Sequence, residues 1–134
     1  MLSLKSVYTA YLVRKEEGGF RAVVPDVPGC ATSGTDLPET LEMITDALHG
    51  CLCVLEDEHQ AIPAPTAPEA LEVPTGAVTT FVPVDTEAYR IATDTRAVRK
   101  NVSIPAWMDR LVQKNGVNCS QVLQEALRVR FAHD

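Results

Sequence analysis

Arg96 to Pro105, read as Arg-Ala-Val-Arg-Lys-Asn-Val-Ser-Ile-Pro, constrains this chain more than any other stretch. Its alternation predicts a strand with Val98, Val102 and Ile104 on one face beside Lys100, and Arg99, Asn101 and Ser103 on the other. Pro105 ends that strand, because it lacks an N–H for a ladder, and its fixed φ suits the first turn of a helix. Trp107, Met108, Leu111 and Val112 then follow at helical spacing as far as Asn115-Gly116, a pair that tolerates the left-handed cap. A second helix opens at Asn118, with Gln121 three residues on as a capping box. Its apolar stripe is Cys119, Leu123, Leu127 and Phe131, flanked by Val122, Ala126 and Val129. A lone strand with both edges open is unstable in water, so this unit is expected to pair with its copy in a second chain.

Charge divides the chain at the same place. Residues 1–95 hold 5 Lys/Arg against 15 Asp/Glu, a balance of −10, whereas residues 96–134 hold 7 against 3, a balance of +4. The overall net charge of −6 argues against nucleic acid only until it is resolved into these segments, since the local field decides where a phosphate backbone docks.

The order strand, helix, turn, helix resembles the ribbon-helix-helix DNA-binding family, through Lys100-Asn-Val-Ser-Ile-Pro105 followed by Gly116-Val-Asn-Cys-Ser-Gln121. The resemblance implies a two-stranded ribbon in the major groove, with Arg99, Asn101 and Ser103 reading bases; Arg and Asn can bond guanine and adenine edges bidentately. It also implies a phosphate held by the N–H groups around Cys119 and Ser120, and a shared dimer core of Val102, Ile104, Leu123, Leu127 and Phe131.

Towards the N-terminus, Ser6–Arg14 reads as a strand, Lys15–Gly19 as a turn and Phe20–Val24 as the hairpin partner. Prolines and glycines break the hairpin before a short third strand around Cys30–Ser33. Asp36 and Glu39 form a capping box for a helix whose stripe is Leu41, Ile44, Leu48, Cys51, Leu52 and Leu55. Residues 61–74 carry four prolines and read as a loop hugging a surface or a semi-rigid spacer. Asp85 to Thr95 shows no clear periodicity, and the domain hinge is placed there.

Phe20-Arg-Ala-Val-Val-Pro-Asp-Val-Pro-Gly-Cys30, the helix start at Asp36–Leu41 and the terminal ribbon-helix-helix together resemble the HicB antitoxin family over nearly the whole chain. That resemblance implies an α+β fold: a partial RNase H-like β-β-β-α-β domain over 1–90 with its last strand at Ala77–Val84, a linker at 91–97 and a ribbon-helix-helix domain over 98–134. It further implies an antitoxin that neutralises a HicA-like ribonuclease toxin and represses its own operon at operator DNA. The implied assembly is a homodimer through the C-terminal domain, or a higher oligomer. A free-standing repressor whose N-terminal domain senses a small ligand is the alternative.

Catalysis, cofactor and metal are not expected. A nuclease needs converging carboxylates, yet the strands offer only Asp26 at a strand end and Glu16 and Glu17 in a turn. His49 reads as a boundary residue beside the helix stripe, His59 as a cation at a frayed helix end, and His133 as part of a tail. Cys30, Cys51, Cys53 and Cys119 have neither disulfide nor zinc spacing, and no secretory leader or bilayer-length apolar run is visible. The expectation is a reduced, cytoplasmic protein without a membrane partner.

Overall fold

The computed structural model describes residues 4–132. It divides into two compact units, residues 1–95 and 96–134, considered in turn.

The first unit is built on an antiparallel sheet of four strands: β1 (Lys5–Arg14), β2 (Phe20–Val23), β3 (Ala31–Gly34) and β4 (Val78–Asp85). Their order across the sheet is β3-β2-β1-β4, which leaves β3 and β4 as edges. Alternation along β1 puts Tyr8, Ala10 and Leu12 into the core, where they join Ala22, Val82 and Val84 of the neighbouring strands. Helix α1 (Leu37–Asp57) covers that face with Ile44, Leu48 and Leu52, all fully buried. The opposite face carries Val7 opposite Pro83 and Thr9 opposite Phe81, with Phe81 exposed.

Asp36 caps α1 as expected, accepting from the Glu39 N–H at 2.9 Å. Glu39 does not complete the box on Asp36, however; its carboxylate takes the N–H and hydroxyl of Thr35 at 3.1 and 3.3 Å. Leu41, expected in the apolar stripe, is exposed, and Thr40 occupies the inward position, its hydroxyl donating to Asp36 O at 2.6 Å. Gly34 makes that packing possible. A Cβ there would lie 2.8 Å from Thr40 N and 2.9 Å from Thr40 Cα, closer than side-chain atoms approach backbone.

The proline-rich stretch hugs the surface rather than spanning a gap. Tyr8 Oη donates to Pro63 O at 2.6 Å, and both oxygens of Asp26 are taken by Thr66, from N–H at 2.8 Å and Oγ1 at 2.6 Å. A short 3₁₀ turn follows at Pro68–Ala70.

Within the stretch where the hinge is expected, a helix forms, α2 (Thr86–Thr93), capped by Asp85, which accepts from the Ala88 N–H at 3.0 Å; the two units divide after Thr95. So short a helix is marginal alone. Arg90 secures it, donating to Cys53 O, Glu56 and Asp57 at 3.1 Å each, while the buried Thr86 hydroxyl donates to Glu56 at 2.9 Å.

In the second unit, residues 96–105 carry no strand. Helices α3 (Ala106–Asn115) and α4 (Cys119–Phe131) stand where the sequence placed them, separated by Gly116 at φ +62°. Asn118 caps α4 by accepting from the Gln121 N–H at 3.1 Å; the Gln121 side chain turns to Glu125 instead of closing a box.

Candidate functional sites

From Arg96 to Ala132 no residue is buried, and Val112 alone is half-buried. Ile104, Leu123, Leu127 and Phe131 are 41%, 37%, 40% and 65% exposed, an apolar set far too open to hold two helices together unaided. Arg99, Asn101, Ser103 and Val102 are likewise exposed on the segment preceding α3. Cys119 and Ser120 occupy the first turn of α4, whose leading N–H groups have no intrahelical acceptor.

In the first unit the side chains that converge lie between α1, the end of β4 and α2. His49 is buried, not at a boundary. Its Nδ1 lies 2.8 Å from Thr45 O, which only accepts, and its Nε2 is 3.1 Å from the Asp85 N–H, which only donates. The geometry therefore fixes the neutral Nδ1–H tautomer. Tyr89 stacks on the imidazole at 5.1 Å between centroids, and its hydroxyl donates to Asp46 at 2.9 Å, a bond that pushes the phenol's pKa up. Replacing His49 with Leu strands the Asp85 N–H, and the expected cost is about 1–3 kcal/mol of unfolding free energy, measured by urea denaturation.

This arrangement escaped the sequence because the bonds that join α1 to Asp85 and Tyr89 span 36 and 43 residues. Asp85-Thr-Glu87 was the available signal: an N-cap residue followed by an acid in the first turn.

His59 adopts φ +54° beyond the end of α1, and His133 lies outside the described residues. Burial raises the Cys30 thiol to about 12, with Cys51 beside it, and Cys53 is also raised by burial. Among the described residues no group of three or more His, Cys, Asp or Glu is placed to hold a metal ion, and no helix is long and apolar enough to cross a membrane.

An acidic α+β unit followed by a basic helical pair whose apolar side chains are exposed defines a two-part protein. Residues 8–127 match the family model described as HicB_like antitoxin of bacterial toxin-antitoxin system, and the chain belongs to that family. UPF0150 protein ssr1765 of Synechocystis sp. is 34% identical over 56 residues, 42% of this chain and 71% of that protein. Among solved structures, the toxin-antitoxin complex from Streptococcus pneumoniae is similar in fold, with a TM-score of 0.59 at 22% identity over 95% of this chain and 99% of that one. The Burkholderia pseudomallei antitoxin HicB gives 0.54 at 22% identity, over 95% and 96%.

Proposed function

We propose that this chain is the antitoxin of a toxin-antitoxin pair, that its N-terminal unit neutralises a HicA-like ribonuclease by direct binding, and that its C-terminal unit represses the operon as a dimeric ribbon-helix-helix protein. The observation that carries the dimer is the absence of any buried residue from Arg96 to Ala132. A second copy covers both deficits at once: the apolar stripes of α3 and α4 pack together, and residues 98–104 of each chain supply the other's ladder.

On that ribbon Arg99, Asn101 and Ser103 read the major groove, while the opening of α4 at Cys119 and Ser120 takes a phosphate. Val102 and Ile104 join Leu123, Leu127 and Phe131 in the shared core. The N-terminal unit, read as a partial RNase H-like fold, inhibits by covering. Its balance of −10 suits a partner whose own surface must be basic to meet RNA.

Arg99→Ala is expected to weaken operator binding by about 1–3 kcal/mol and relax sequence preference, read by titration and footprinting. An unchanged footprint would take Arg99 off the reading face. Inhibition of toxin-dependent RNA cleavage by the purified chain tests the other half.

A further inference from the structure

An open groove of about 1030 Å³ runs between α1, the start of β1, the end of β4 and α2. Val7, Leu41, Pro83 and Ala88 line it, with Val7 50% and Leu41 36% exposed. Glu42 and Asp46, four residues apart and so neighbours on the α1 surface, stand beside this apolar floor. Glu42 has no ion pair or hydrogen bond among the described residues, and Asp46 accepts only from the neutral Tyr89 hydroxyl. Among the described residues Lys5 is the one cation lining the groove; Arg90, on the adjoining helix, is held by Glu56 and Asp57.

We infer that this groove is the face of the antitoxin that seats its toxin, by taking a cationic, amphipathic segment of that protein along α1. Three features select such an occupant. Long Arg or Lys side chains lay their methylene stems on an apolar floor and end on carboxylates, and Glu42 is free to receive one. A nucleic acid backbone is repelled by the same carboxylates, and a second copy of this unit would bring another net −10 against them. The wall is also fixed in advance: the His49–Tyr89 stack is tied to α1 through Thr45 and Asp46 and to the start of α2 through Asp85, so little ordering cost is left for binding.

The inference rests on the antitoxin reading, and the test separates the two. The full-length chain is titrated with a purified HicA-like ribonuclease at several salt concentrations. Glu42→Lys should weaken binding about tenfold and flatten the salt dependence. Glu69→Lys, an equal charge change at an exposed site away from the groove, should stay within about twofold of the parent. Leu41→Ala should weaken binding with the salt dependence unaltered, which separates docking on the floor from simple charge attraction. Equal affinities for the Glu42 and Glu69 variants, or an unaffected Leu41 variant, would overturn the groove while leaving the antitoxin reading intact. A parent chain that does not bind the toxin at all would overturn both.

Discussion

Leu123→Asp is expected to turn the protein into a monomer and abolish operator binding in the same step, while toxin binding persists. Leu123 is 37% exposed in the single chain, and in the proposed dimer its side chain closes against the partner copy. Burying an unpaired carboxylate there costs more than about 3 kcal/mol, enough to shift dimerisation by over a hundredfold. DNA binding follows the dimer down because each ribbon needs a strand from both chains. Sedimentation, operator titration and toxin titration on one preparation read the three outcomes together. A Leu123→Asp protein that stays dimeric and occupies its operator would remove α4 from the shared core.

Gly34→Ala is expected to be the most damaging small substitution in the N-terminal unit. The added methyl meets the backbone of Thr40 at 2.8 and 2.9 Å, where the capped first turn of α1 cannot retreat without breaking the Asp36–Glu39 and Thr40–Asp36 bonds. Overpacking against backbone is costed at about 3 kcal/mol or more, a fall of roughly 10 °C or beyond in the melting temperature of a unit this size. Gly50→Ala is the matched control. It lies within α1 with nothing near the added methyl, so the same change should raise stability by about 0.5–1 kcal/mol. Thermal melts of the two variants should therefore move in opposite directions.

What the sequence conveyed well is what is specified locally. The hairpin turn at Lys15–Gly19, the Asp36 cap, the Gly116 stop and the Asn118 cap each depend on residues within a few positions of one another, and the observed elements start and end within a residue or two of those signals. Helix α2 was missed because its stability is borrowed from Glu56 and Asp57, more than thirty positions earlier. His49 was misplaced for the same reason: Thr45 O is one helical turn away, but its other bonding partner, the Asp85 N–H, lies 36 residues further along the chain. Leu41 obeyed the helical period yet stayed outside, since the turn of α1 facing Gly34 admits only the small Thr40. The segment 98–104 is a separate case: it forms no strand in the single chain, and the ribbon proposed for it needs a second copy to complete its ladder.

Pro83 sits near the end of β4, on an outermost strand of the sheet. Lacking an N–H, it cannot complete a run of donors along that rim, so another sheet finds a gap where it would need to stitch. In the proposed dimer two such rims are held at high local concentration. A single imino acid at this position would then help keep assemblies finite and in solution, rather than growing edge to edge into fibres.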